Sequence, residues 1–356
     1  MRIRFRTAFV FATSAIFVLC TRHIHAQAAL LTEEPYGFFG EVAPTGHNAI
    51  YFEHICAETP THLRPCQPDE PGVVIARYQG IAGYDWIAIP LIPYLYSVEE
   101  ESQIPQHVDR STVERLRDNY HEAHLLTLGD DLPPGSIFQG GWTELVGVAY
   151  ERRIYAFRFN TTEAQDNAFI ARMNSSPNHS HFNFLYNNCS DFARVMLNSY
   201  FPHTFHRSVF PDAGMTTPKQ LTWQLERYAT KHPDVHLAVF EIPQVPGYRR
   251  HSHSNKSVAE SLSTTIYAVP IFFANPYIGG GIFADYLIRN RFRLVPRNVQ
   301  VLSSTDLSAL TSPPSTPQTS GSAGIQASGA AAVNHTDLRI DQAAYSGQKE
   351  MKATHE

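Results

Sequence analysis

Cys189 is the residue best placed in this chain to do chemistry. It stands in Tyr186-Asn187-Asn188-Cys189-Ser190-Asp191-Phe192, where a polar turn breaks into a helix running to Tyr200. Phe192, Val195, Met196 and Tyr200 recur at three- and four-residue steps, which gives that helix one apolar face. Asn188 has the chemistry of an N-cap, because its side-chain oxygen can accept from an amide of the first turn. A thiol at the first helical position feels the positive end of the helix dipole. It also faces N–H groups without helical partners, and both effects favour the thiolate, the form that attacks carbonyls. The competing reading is a small apolar residue tucked under a helix, the ordinary state of a free cysteine.

The N-terminus bears on which of these holds. Arg2, Arg4 and Arg6 form a positive n-region, and Ala8–Cys20 is an apolar stretch too short to span a bilayer. Ala26-Gln27-Ala28 supplies the small residues that a signal peptidase requires. The expectation is a signal peptide over residues 1–28, cut near Ala28, and export to an oxidising compartment such as a periplasm. A lipidated Cys20 is disfavoured, since Phe17-Val18-Leu19 lacks the small residue expected beside it. With that segment gone, Cys56, Cys66 and Cys189 remain. Cys56 and Cys66 flank a short loop with Pro60 and Pro65, the kind of segment a disulfide clips for about 2–3 kcal/mol. Cys189 is then the odd thiol, and an unpaired thiol in an exported protein suggests a use.

A nucleophilic cysteine needs a base, which must be near in space rather than in sequence. Thr45-Gly46-His47-Asn48-Ala49-Ile50-Tyr51-Phe52 reads as a strand after a turn, with His47 at its head and Gly46 allowing close approach. A second apolar strand, Val73–Gln79, follows the Cys56–Cys66 loop, so the two form a hairpin with an excursion at its tip.

Gly46-His47-Asn48-Ala49-Ile50-Tyr51, followed far downstream by Asn188-Cys189-Ser190-Asp191-Phe192, resembles the circularly permuted branch of the NlpC/P60 papain-like superfamily. That branch includes lecithin retinol acyltransferase-like and bacterial peptidoglycan-amidase-like proteins, and its His-bearing strand precedes its Cys-bearing helix. The resemblance covers roughly residues 37–200. It implies Cys189 as nucleophile and His47 as base on an α+β fold, with an antiparallel sheet and the cysteine at a helix N-terminus. The family places a third polar residue, often His, on the next strand. Here that strand offers only Arg77, Tyr78 and Gln79, and Gln79 is the expected orienting group, as the third member of a triad is.

The other elements are expected as follows. Tyr84–Tyr96 is apolar with two prolines, an extended segment lining a cleft or core, of which core is preferred; Ser111–Ala123 is a solvated helix with a Ser/Thr cap and Glu114 three residues on, and Trp142–Val148 and Arg153–Asn160 are strands. Thr161 and Thr162 cap a helix over Glu163–Asn174, and Thr217-Pro218 opens one reaching Lys231. The papain-like domain is expected over 29–250. Ile266–Ile288 is almost uncharged and runs into Arg289, Arg291, Arg293 and Arg297, the form of an inner-membrane anchor with a basic flank. Pro270, Pro276, three consecutive glycines and Asp285 stand against it and would suit a buried hydrophobic hairpin, but the arginine cluster tips the expectation to the anchor. From 301 to 356 the composition is that of a disordered tail.

Charge and spacing exclude other classes. The formal charge is −5, and loss of residues 1–28, which hold Arg2, Arg4, Arg6 and Arg22 and no acid, takes it to −9. No basic face for nucleic acid is present. The histidine pairs 179/181, 203/206 and 251/253 lack metal-site spacing, so neither metal nor cofactor is expected. His181 is the reserve base. The function expected is an exported thiol hydrolase or acyltransferase acting on amide or ester bonds of a cell-envelope polymer or lipid. Backbone amides would hold the oxyanion, with help from Tyr186, Asn187 or Asn188. The alternative is a catalytically inert envelope-binding module on the same fold.

Overall fold

The computed structural model describes residues 25–37, 45–78, 80–129, 141–179, 182–208, 212–264, 268–289, 294–295, 299–303 and 307–311. Gln79, His181, residues 1–24, Arg291, Arg293, Arg297 and all of 312–356 lie outside them.

The fold is α+β, organised on the strand β1 (His25–Glu33). Its Ala26, Ala28, Ala29, Leu30 and Leu31 are wholly buried, because helices cover both faces of the sheet. Around it lie β2 (His47–Phe52), the hairpin β3 (Ile55–Thr59) and β4 (His62–Pro65), β5 (Val73–Arg77), β6 (Trp86–Pro90), β7 (Ile154–Thr162), β8 (Ala238–Ile242) and β9 (Gln300–Val301). The seven-stranded sheet has the order β6-β5-β2-β1-β7-β8-β9, with β3 and β4 paired separately as the excursion between β2 and β5. Every described pairing in it is antiparallel except β8 with β9. Cys56 and Cys66 are joined by a disulfide across the base of the excursion.

Side chains alternate across the sheet, so one parity of β1 and β2 (Ala28, Leu30, Ile50, Phe52) meets one set of helices. Those are α3 (Glu163–Ser175), α4 (Cys189–Tyr200) and α5 (Pro218–Lys231), the last two chiefly through Phe192, Met196, Leu221 and Leu225. The opposite parity (Ala29, Leu31, Ala49, Tyr51) packs against α1 (Leu91–Tyr96) and α2 (Arg110–Tyr120). The caps follow from local chemistry. Asn188 accepts from Asp191 N–H at 2.9 Å, Thr162 and Gln165 form a capping box on α3, and Thr217 caps α5 ahead of Pro218.

Three expectations are corrected and one alternative is resolved. Of the two readings of Tyr84–Tyr96, core is the one met: the chain is a strand to Pro90, and Leu91–Tyr96 coils into a buried helix. Asp109, not a serine or threonine, caps α2 by accepting from Thr112 N–H. Trp142–Val148 is no strand, but two 3₁₀ turns hinged at Gly147, whose φ of 70° breaks any extended run. Ile266–Ile288 forms no continuous helix. Among its described residues Asn275 interrupts α7 (Ala268–Ala274) and caps α8 (Pro276–Arg289) by accepting from Tyr277 and Ile278 N–H. No described helix is long and apolar enough to cross a membrane.

β1 also bears on the expected cut near Ala28. Ala26, Gln27 and Ala28 pair with Thr161, Asn160 and Phe159 of β7, Ala28 pairs with Phe52 of β2, and Gln27 C=O accepts from Glu53 N–H. A cut near Ala28 would strip these partners from the middle of the sheet and leave buried backbone groups unmatched. A chain starting at Thr21 should give a cooperative thermal transition by circular dichroism and one starting at Ala29 none; equal transitions would show that this half of β1 is dispensable.

Candidate active site

Two elements carry the reacting groups to the same end of the sheet. α4 brings Cys189 as its first residue, and β2 brings His47 as its first residue. The two side chains are hydrogen-bonded, the backbone N–H of Asn48 also points at the sulfur, and Ser190 Oγ lies 4.0 Å from it. Among the described residues Cys189 is the free cysteine, and it is partly exposed. It opens into a cleft of about 210 Å³ lined by His47, Tyr78, Phe182, Phe184, Met215 and Thr216, among others.

Burial pushes the Cys189 thiol up, but the His47 charge, the hydrogen bond from it, the Asn48 amide and the Ser190 hydroxyl together hold it below the ordinary thiol range. Burial likewise pushes the His47 imidazole down, and the Cys189 and Glu33 charges more than reverse this, so it ends above its ordinary range. The two shifts run toward each other, the direction that favours a thiolate–imidazolium pair. Cys189 and Ser190 occupy the first helical positions, so their N–H groups have no acceptor within the helix and face the same space as the sulfur.

A polar strut fixes α4 to the sheet behind the sulfur. Ser190 hydroxyl donates to Asn48 Oδ1 at 2.8 Å; Asn48 Nδ2 donates to Leu31 C=O at 3.1 Å and Thr32 Oγ1 at 3.2 Å; and Thr32 and Thr222 hydroxyls meet at 2.7 Å. Gly46 is obligatory at the turn into His47. Its φ is +82°, and a Cβ there would overlap the Glu33 carbonyl oxygen and the Asn255 amide. Asn255 Nδ2 donates across this turn to Glu33 C=O and Thr45 C=O at 2.8 and 2.9 Å.

The remaining expected site residues do other work. Asn188 lines the cleft, but its side chain is spent on the cap and on Phe184 C=O and Thr216 C=O. Asn187 Oδ1 accepts from Arg77, which also pairs with Asp85 at 2.6 Å and lies over the Phe192 ring. The Tyr186 ring lies under Arg207, and its carbonyl accepts from that guanidinium. Neither Tyr186 nor Asn187, expected to help an oxyanion site, lines the cleft. Gln79 and His181 lie outside the described residues. The register that pairs Ile50 with Ile75 continues to Tyr78 opposite His47, and the Tyr78 ring stacks on the imidazole at 5.4 Å.

Sequence reasoning missed a buried charge beside the base. Glu33 is the β1 partner of His47 and is wholly buried; its Oε2 lies 3.1 Å from Arg152 Nη1, and Oε1 accepts from the Tyr94 hydroxyl. The only signal was a glutamate closing an apolar strand. Among the described residues one trio could suggest a metal, Cys56, Cys66 and Glu70, but both sulfurs are in the disulfide and Glu70 is paired with Arg64. No protein-family model, no curated protein and no solved structure matches the chain.

Proposed function

We propose that the chain is a thiol hydrolase or acyltransferase acting on amide or ester bonds of cell-envelope substrates, with a permuted papain-like active centre. The observation that carries this reading is the hydrogen-bonded Cys189–His47 pair, set at a helix N-terminus and open to a cleft. Cys189 Sγ attacks the carbonyl carbon, and the Cys189 and Ser190 amides receive the developing oxyanion. As the tetrahedral intermediate collapses, the C–N or C–O bond breaks and the His47 proton passes to the departing amine or alcohol. Water or a second nucleophile then attacks the thioester, gives its proton to His47 and releases the thiolate.

The apolar cleft wall and the α7–α8 hairpin favour a substrate presented at a membrane surface. Phe273, Tyr277 and Ile288 are 86%, 90% and 79% exposed, large apolar side chains displayed along the hairpin. α6 (Val258–Thr264), which contributes Val258 to the cleft, packs against α8.

The test is incubation of the full chain with peptidoglycan fragments and with lipid esters in anionic vesicles, reading released products and thioester mass on Cys189. Turnover lost in Cys189→Ala supports the proposal. Binding that Cys189→Ala retains, with no turnover by the unaltered chain, would make the protein an inert binding module and sink it. Turnover of soluble fragments alone, without vesicle flotation, would remove the membrane part.

A further inference from the structure

We infer that Glu33, held in place by Arg152 and Tyr94, acts through His47 as the buried anion that sustains its positive charge; this rests on the thiol reading of the site. Glu33 and His47 are directly opposed in the β1–β2 ladder, and residues so paired project from the same face. That face is fixed by Leu31 and Ala29 on one strand and Ala49 and Tyr51 on the other. His47 Nε2 is shut off from solvent and has no hydrogen-bond partner among the described residues, so Nδ1 is the nitrogen that meets the sulfur. The other ring nitrogen is therefore enclosed in the protein, on the sheet face that His47 shares with Glu33.

The charged and titratable groups around His47 come from every neighbouring element. α4 supplies Cys189, β1 Glu33, α1 Tyr94, the turn after β5 Tyr78, and the approach to β7 Arg152, while Arg77 and Glu144 stand in the cleft wall. Glu144 is exposed and screened; Glu33 is wholly buried, so its field reaches His47 through a low-dielectric medium. The Glu33 charge raises the proton affinity of His47, and the Arg152 charge lowers it.

These opposite signs supply the test. The protonation of His47 is followed by ¹⁵N-histidine NMR from pH 5 to 10 in the unaltered full chain, in Glu33→Gln and in Arg152→Gln, beside iodoacetamide labelling of Cys189. In Glu33→Gln the loss of the His47 proton should move to lower pH, a roughly three- to tenfold fall in proton affinity, a tenfold change being about one pH unit. In Arg152→Gln it should move the other way, because Glu33 then acts on His47 unopposed. Parallel shifts in both charge variants would indicate a purely structural role and overturn the inference. So would an unmoved His47 titration in folded Glu33→Gln. Should the variants not fold, ¹⁵N-histidine NMR of the unaltered chain decides: a protonated Nε2 at neutral pH supports the arrangement and a bare one overturns it. If the unaltered chain labels no faster than free cysteine, it is the thiol reading that fails.

Discussion

Replacing His47 with alanine should slow iodoacetamide labelling of Cys189 at pH 6 by about ten- to a hundredfold and reduce turnover by about 10²–10⁴. The first figure follows from the thiolate fraction. A thiol with the ordinary pKa of about 8.5 is roughly 0.3% ionised at pH 6, whereas the His47 charge and hydrogen bond hold Cys189 below that range. The gain is smaller than the change in ionisation, because nucleophilicity falls as a thiol becomes more acidic. The helix N-terminus and the Asn48 amide remain in the variant, so labelling should stay faster than that of a cysteine in an unfolded peptide. Turnover suffers more than labelling because alkylation needs only the thiolate, while acyl transfer also needs a proton for the leaving group. Equal labelling at pH 6 in the two proteins would show that the histidine does not hold the thiol ionised.

The same pair fixes the form of the pH dependence. Cys189 is lowered and His47 raised, shifts that favour the active ion pair between two apparent values, which belong to the pair rather than to either residue. Turnover should rise with pH through the lower value, as the thiol loses its proton, and fall through the upper, as imidazolium loses its own. Labelling should rise through the lower value and show no descending limb, since the thiolate persists above the upper one.

Much of this site was legible because it is local. Asn188, Cys189 and the apolar steps to Tyr200 specify a capped amphipathic helix, and Gly46-His47 specifies a turn into a strand. Even there Val195, assigned to the buried face, is 45% exposed, since α4 meets the sheet along a narrower stripe of Phe192, Met196 and Tyr200. The middle of the sheet was not legible. Ala26-Gln27-Ala28 fits a signal peptidase and also a strand buried on both faces, and what places it in the sheet is remote in sequence, in β2 and, more than a hundred residues away, in β7. Glu33 was hidden for the same reason. A glutamate at a strand end is ordinarily solvated; Arg152 and Tyr94, which hold it in the interior, come from remote parts of the chain. Trp142–Val148 misled because its apolar run hides Gly147, where any side chain would strike Ser97 and Tyr150.

Asp191→Ala should cost about 2–4 kcal/mol of stability, measured by urea unfolding, and should release the cleft wall as well. Asp191 is buried in the first turn of α4, where its charge favours the helix dipole. Its Oδ1 accepts from the Thr216 hydroxyl at 2.8 Å and from Arg207 Nε at 3.0 Å, and it pairs with Arg194 at 3.3 Å. Alanine leaves a buried hydroxyl without its acceptor and two guanidinium groups without their anion. Arg194 and Arg207 are 19% and 39% exposed and can rehydrate, which keeps the cost below that of breaking a fully buried pair. The loss also reaches the chemistry. Thr216 and Met215 line the cleft, and Thr216 C=O accepts from Asn188, the residue that caps the helix at the sulfur. Freed from Asp191, that loop no longer braces the cap, so Cys189 labelling should slow in Asp191→Ala under conditions where the variant is still folded. Asp191→Asn preserves the shape and one acceptor, and should recover most of the labelling rate but only part of the stability. A folded Asp191→Ala with unaltered labelling would separate the loop from the nucleophile and limit Asp191 to stabilising the fold.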